Sequence, residues 1–280
     1  MGNILFIDKP KGITSFDVCY RLRRVLGTKK IGHTGTLDPN ATGVMIVLFD
    51  KATKANQFLV SDNKEYICEV KFGIETDTLD IDGNIINRQD FVMPDSKTIS
   101  DVLLSFKGES KQIVPITSAV SVNGKRLYQY QRENIEVELP ERLINIEEIE
   151  LLKILDDGFS FRCKVSSGTY IRSLVKDICN KLGVIGTVNE LRRTKIDDVN
   201  VEECDSLDNI EKGIYKTHDL YSLLSRRYKV IEYENIEDIY NGKRIKLDLN
   251  EERVLISKDN EAIAIYEKDG DTYKSIRGLW

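Results

Sequence analysis

With 280 residues, 41% of them apolar and 31% charged, the chain is long enough for one large hydrophobic core plus a small domain. No apolar run approaches the roughly 20 residues that span a bilayer, so no membrane partner is expected. The five cysteines, Cys19, Cys68, Cys163, Cys179 and Cys204, lie far apart without a C-x-x-C, and the only histidines are His33 and His218, which argues against a disulfide framework, a zinc site or a histidine-rich metal centre and for a reducing cytosol.

The net charge of −5 opposes a nucleic-acid partner at first sight, because phosphate neutralisation supplies much of such affinity. Its distribution does not. Residues 1–40 carry seven Lys/Arg against three Asp, residues 164–195 carry seven against two acids, and residues 133–160 hold nine acids against two basic residues. Solvated charged faces would give the same pattern. The N-terminus lacks a basic n-region and is interrupted by Asp8, unlike a signal peptide.

In chain order, Asn3 to Asp8 reads as a short strand that ends at Lys9-Pro10-Lys11-Gly12. Ser15 is the expected N-cap of a helix whose apolar stripe is Val18, Cys19, Leu22, Val25 and Leu26, with Gly27 at C′. Arg21, Arg23 and Arg24 fall largely on its outer side. Then comes Gly32-His33-Thr34-Gly35-Thr36-Leu37-Asp38-Pro39-Asn40-Ala41-Thr42-Gly43-Val44, in which three glycines and three threonines surround one carboxylate. Val44 to Phe49 is an apolar run that reads as a buried strand, so the preceding residues form a loop at the edge of a buried sheet. Pro39 steers Asp38 away from helical backbone and stiffens its position. An Asx-turn in which Asp38 bonds only its own backbone is the plain alternative.

Tyr66, Cys68, Val70 and Phe72 alternate with polar residues as one face of a strand, where Tyr66 is either a core aromatic or a site residue. Thr76-Asp77-Thr78 and Asp82-Gly83-Asn84 predict a polar loop and a hairpin turn. Thr98 to Phe106 is a helix candidate. Phe159 to Val165 alternates as a further strand, and Ile171, Leu174, Val175, Ile178 and Leu182 form the stripe of a helix ended by Gly183. Tyr170 and Arg172 fall at its first turn, away from that stripe, where an arginine opposes the helix dipole and suggests a specific acceptor. Residues 197–225 read as a connector. From about Arg226, short strands at Tyr228–Ile231, Arg253–Ile256 and Ala262–Tyr266 predict a small all-β module.

The Gly32–Val44 segment closely resembles the catalytic motif of the TruB family of bacterial tRNA pseudouridine-55 synthases. Further blocks in the same order resemble the family: Asp8-Lys9-Pro10-Lys11-Gly12, Lys64-Glu65-Tyr66, Thr76-Asp77-Thr78-Leu79-Asp80, Gly124-Lys125-Arg126-Leu127-Tyr128, Ser167-Gly168-Thr169-Tyr170-Ile171-Arg172 and Leu191-Arg192-Arg193. The likeness covers about residues 3 to 195. Gln112 to Ala119 departs from it, with Val114 and Thr117 where the family more often has a proline and a tyrosine.

The resemblance implies an α+β fold, a mixed and mainly antiparallel catalytic domain over 1–225 and a PUA-like β domain over 226–280. It implies a catalytic set of Asp38 as nucleophile, Tyr66 stacked beneath the target base, Tyr170 supporting the pocket, Arg172 paired with Asp38, and Leu191 as an apolar pocket residue. It places Lys9 and Pro10 behind the tyrosine and, with His33, Lys54, Arg126, Arg192 and Arg193, among the RNA contacts. The implied substrate is the tRNA T-arm, bound by a cytoplasmic monomer without cofactor, metal or guide RNA. Two rivals are a non-catalytic tRNA-binding or RNA-folding protein and an N-glycosidic hydrolase, which would want a second acid to activate water.

Overall fold

The computed structural model describes residues 2–60 and 63–280. Strand β1 (Ile4–Lys9) leads into helix α1 (Ser15–Leu26), then strands β2 (Ile31–His33) and β3 (Thr42–Phe49). Strand β4 (Asn63–Phe72) precedes the hairpin of β5 (Ile74–Thr76) and β6 (Ile85–Arg88), helix α2 (Ser96–Leu104) and strand β7 (Gly108–Ile113). A two-residue hairpin, β8 (Ser121–Val122) and β9 (Lys125–Arg126), opens helix α3 (Leu127–Arg132). Next come the long strands β10 (Glu141–Leu155) and β11 (Gly158–Ser166), helix α4 (Ile171–Leu182) and strand β12 (Gly186–Ile196). Short elements follow: β13 (Val199–Asn200), β14 (Asp205–Ser206), α5 (Leu207–Glu211) and α6 (Leu220–Leu224). The chain ends with β15 (Lys229–Glu232), α7 (Ile236–Tyr240), β16 (Arg253–Lys258), β17 (Glu261–Asp269) and β18 (Thr272–Gly278).

The chain divides into two compact units, one of residues 1–38, 44–60 and 202–280, the other of 39–43 and 61–201. These divisions fall at other points than residue 225. In the first unit, β14 runs parallel to β1, β1 lies beside β3, and β2 pairs antiparallel with β3. Helices α1 and α5 cover this sheet: Val18, Cys19, Leu22, Leu207 and Ile210 pack with Leu5, Ile7, Met45, Val47 and Phe49 in one core. Residues 197–225 are therefore no free connector, because Leu207 and Ile210 are part of that core and β14 extends its sheet.

Residues 226–280 keep a sheet of their own, ordered β15-β16-β17-β18, over a separate cluster that includes Ile239, Val254, Ile256, Tyr266 and Tyr273. This is the small C-terminal β module of PUA-like type, with β18 and the five-residue α7 added to the expected strands.

In the second unit the first two residues of β3 run parallel to β12, and β12, β4, β11, β10 and β7 continue as an antiparallel sheet. The alternation read in β4 is real, since Tyr66, Cys68, Val70 and Phe72 are buried between half-buried neighbours. Phe72, Phe159 and Phe161 form an aromatic row with centroids 5.6 and 5.8 Å apart. Helix α4 carries its expected stripe, with Ile171, Leu174, Val175 and Ile178 buried.

Helix α1 starts one residue earlier than expected in its capping. Thr14, not Ser15, is the N-cap: its hydroxyl accepts from the Asp17 N–H at 3.0 Å while the Asp17 carboxylate accepts from the Thr14 N–H at 2.9 Å. This reciprocal pair closes two of the open donors of the first turn. The hydroxyl of Ser15 is thereby released for another partner.

Candidate active site

Between His33 and Thr42 the chain has no helix or strand, so its course is set by its bonds. Ser15 is buried at the start of α1, and its hydroxyl donates to the Leu37 carbonyl at 3.0 Å and accepts from the Leu37 N–H at 2.8 Å. Asp38 follows, half-buried, and then exposed Pro39. Asn40 is buried again, and its amide donates to the Asp80 carboxylate at 2.9 Å and to the Asn189 carbonyl at 3.2 Å. At Gly43, with φ of 104°, a Cβ would stand 2.1 Å from the Arg193 carbonyl oxygen, so only glycine permits β3 to pair with β12 there.

Tyr66, Arg172 and Leu191 all belong to the second unit. Antiparallel register sets Tyr66 opposite Arg193 on β12 and Cys163 on β11, and Cys68 opposite Leu191 and Phe161. Directly opposed residues share a face, so Tyr66 and Leu191 lie on the same face of adjacent strands. Burial pushes the Cys68 and Cys163 thiols well above their ordinary range. Such burial disfavours the thiolate form of both.

Arg172, at the second residue of α4, is 6% exposed. Its guanidinium donates to the Thr78 carbonyl at 3.0 Å, to the Thr117 hydroxyl, and to the Thr117 carbonyl at 3.3 Å. The helix has no side-chain cap of its own at Tyr170. Gln112, buried on β7, bonds that residue twice, accepting from its N–H at 2.8 Å and donating to its carbonyl at 3.1 Å. Ser173 donates to the Ile113 carbonyl at 2.9 Å. Tyr170 itself is half-buried.

The loop that supplies Thr78 is tied down by hydrogen bonds. Thr76 donates to the Asp80 carbonyl at 2.8 Å, Asp77 accepts from the Asn84 N–H at 2.9 Å, and Ile81 N–H donates to the Val188 carbonyl at 2.8 Å. Leu79 sits at a φ of 62°, left-handed backbone that a branched side chain adopts only when its surroundings hold it there.

The expected RNA contacts separate into two groups. Pro10 and Arg126 are exposed, His33 ends β2 half-buried, and Lys54 is half-buried with its ammonium donating to the Trp280 carbonyl. Arg192 is half-buried and donates to the Thr42 hydroxyl at 3.3 Å. Lys9 and Arg193 are buried, at 0% and 1% exposure, and do not present their charge to solvent. The Lys9 ammonium donates to the Pro10 and Ile13 carbonyls at 2.9 and 2.7 Å, bracing the turn before α1. For the arginine pair the reason is strand periodicity: consecutive residues of β12 face opposite sides, so Arg193 turns inward beside Tyr66 while Arg192 turns outward.

Sequence reasoning missed four contributors: Gln112, Thr117, Asn40 and Ser15 in its loop-holding role. Only Thr117 gave a signal, as a departure from the family pattern at a position that proves to hold Arg172.

Comparison with known proteins bears on the chain as a whole. The model of the "TruB family pseudouridylate synthase (N terminal domain)" matches residues 23–171, and that of the "tRNA pseudouridylate synthase B C-terminal domain" matches 172–233. The tRNA pseudouridine synthase B of Lactobacillus acidophilus is 37% identical over 98% of this chain and 97% of its own length. That of Alkaliphilus oremlandii is 41% identical over 88% and 83%. Among solved structures, a chain of a Cbf5-Nop10-Gar1 complex matches with a TM-score of 0.73 at 24% identity, over 99% of this chain and 84% of that one. A chain of the archaeal box H/ACA Nop10-Cbf5 complex gives 0.71 at 22%, over 99% and 86%. These last two likenesses establish a shared fold.

Proposed function

The chain belongs to the TruB family of pseudouridylate synthases and isomerises uridine to pseudouridine in tRNA, and from that premise we propose that it acts on position 55 of the T-loop with Asp38 as nucleophile. The observation that carries the choice of residue is the placement of Asp38: a half-buried carboxylate between buried Leu37 and buried Asn40, both fixed by side-chain hydrogen bonds.

The reaction breaks the bond from ribose C1′ to uracil N1, turns the base, and joins C1′ to C5. The C5 hydrogen leaves as a proton and N1 gains one, so the product is an isomer with no net redox change. An ionised carboxylate that adds covalently divides this exchange into easier steps. The family resemblance implies that Arg172 pairs with Asp38 and orients it. Tyr66 is proposed to stack beneath the base and move the proton, with Leu191 and Tyr170 completing the pocket wall. The target base leaves its stack at a cost of a few kcal/mol, offset by stacking and polar contacts inside the enzyme. His33, Lys54, Arg126 and Arg192 are the proposed contacts to folded RNA, which is recognised by shape and splayed loop bases. We assign the protein to the cytoplasm and propose that it acts as a monomer, without a guide RNA or cofactor.

The test uses a T-arm transcript tritiated at uracil C5. Release of one tritium per RNA, abolished by Asp38→Asn, supports the proposal. Binding without release would favour the RNA-binding reading, and free uracil the hydrolase.

A further inference from the structure

Asp38 stands between two buried side-chain anchors, one on the residue before it and one two residues after. On the first side a single hydroxyl, that of Ser15, closes both the carbonyl and the N–H of Leu37, at 3.0 and 2.8 Å. Helix α1 has no need of this hydroxyl, since Thr14 and Asp17 already cap it. On the second side the Asn40 amide reaches Asp80 and Asn189, far away in sequence, instead of making the local backbone bond usual for asparagine in a turn. Asp80 is itself fixed, its carboxylate accepting from the Asp82 N–H at 3.2 Å and its carbonyl from Thr76 at 2.8 Å. Ser15 and Asn40 are 2% and 1% exposed, so neither is available to RNA.

We propose that Ser15 and Asn40 are positioning residues for the isomerisation, acting through the loop backbone to hold the Asp38 carboxylate where its attack on the nucleoside occurs. The proposal rests on the reading of Asp38 as nucleophile. The physical reason is the steepness of reactivity with geometry, for a displacement of about 1 Å costs on the order of 100-fold in rate. A loop without helix or strand cannot hold that tolerance by its own backbone, and each anchor removes freedom on one side of the carboxylate. RNA affinity is set elsewhere, by outward-facing groups.

Four variants separate the possibilities: Ser15→Ala, Asn40→Ala, Asp38→Asn and Thr14→Ala, the last removing the cap of the same helix without touching Leu37. Single-turnover tritium release at saturating T-arm RNA, the Kd for that RNA and the Tm are measured for each. Ser15→Ala and Asn40→Ala are expected to slow the single turnover about 10- to 100-fold, with Kd within about threefold of the parent. Thr14→Ala is expected to lower Tm yet stay within about twofold in rate. Parental rates in both Ser15→Ala and Asn40→Ala would overturn the inference, as would a rate loss no larger than that of Thr14→Ala at a similar Tm. Should Asn40→Ala not fold, Ser15→Ala decides. Full tritium release by Asp38→Asn would instead overturn the reading of the nucleophile, a separate failure.

Discussion

Helices α1 and α4 are each twelve residues long, each amphipathic, and each ended by a left-handed glycine, Gly27 at φ 63° and Gly183 at φ 73°. Their beginnings differ. Helix α1 follows the local rules: a threonine cap, an aspartate in the first turn, arginines in the last. Helix α4 breaks them, with no cap from its own segment and a buried arginine at the positive end of its dipole. Tertiary partners make up the difference, Gln112 for the missing cap and Thr78 with Thr117 for the guanidinium. A locally well-formed helix start needs nothing from elsewhere, whereas one that is ill-formed depends on tertiary partners, here to hold a buried cation set against the dipole.

The largest expected effect breaks the comparison at the arginines. Arg172→Met should lower single-turnover rate at least about 100-fold and destabilise by roughly 1–2 kcal/mol in urea titration, since the half-buried Thr78 and Thr117 acceptors lose their donor. Arg172→Lys should not restore activity, because an ammonium cannot reproduce the planar fork. Arg24→Met on the exposed end of α1 should stay within about 0.5 kcal/mol. Equal effects at the two positions would mean that α4 is an ordinary helix.

Next in size, the comparison should vanish on the inner stripes. Leu22→Ala and Leu174→Ala remove fully buried side chains of the same kind, and each should cost about 3 kcal/mol in chemical denaturation. Smaller again are the caps. Gln112→Ala leaves the Tyr170 N–H without its partner, while the carbonyl keeps the Leu174 N–H, and should cost about 1–2 kcal/mol, whereas Thr14→Ala should cost about 1. Gln112→Ala should also slow turnover, since it loosens the turn that holds Arg172, while Thr14→Ala should not.

The smallest difference is one of pH. The Asp17 carboxyl is held below its ordinary range by its hydrogen bonds to the Thr14 side chain and backbone. A carboxyl lowered by folding stabilises the fold above its ordinary pKa, about 3.8, and that contribution is lost as pH falls through the folded value. The Thr14→Ala deficit in Tm should therefore shrink from about pH 5 towards pH 3. The deficit of Gln112→Ala should persist, because an amide does not titrate.

Much of the fold was legible because it rests on local patterns. The stripe from Val18 to Leu26 and the alternation from Tyr66 to Phe72 each state a period that only one element satisfies, and the short, branched apolar run into Phe49 reads as a buried strand by its length and composition. The reading of Ser15 as the cap failed by one residue, as two adjacent hydroxyls are equivalent until the partner of the second is known. The reading of residues 197–225 as a connector failed because Leu207 and Ile210 are isolated apolar positions in an acidic stretch, and their burial depends on the sheet they meet.

The site divides along the same line. The sequence alone determined that Asp38 stands on a stiff, glycine-bordered loop before a buried strand, that Tyr66 shares a face with Cys68, and that Arg172 occupies an electrostatically misplaced position. Spacing and residue chemistry carry those statements. Only the tertiary structure decided which groups answer them: Ser15 on Leu37, Asp80 on Asn40, Gln112 on Tyr170, Thr117 on Arg172. Each of these bonds joins residues between 22 and 58 positions apart. Hydrogen bonds across such separations leave no period in the sequence, since they depend on where the sheet brings two segments together. It also decided that Lys9 and Arg193 are internal, because charge is written in the sequence and burial is not.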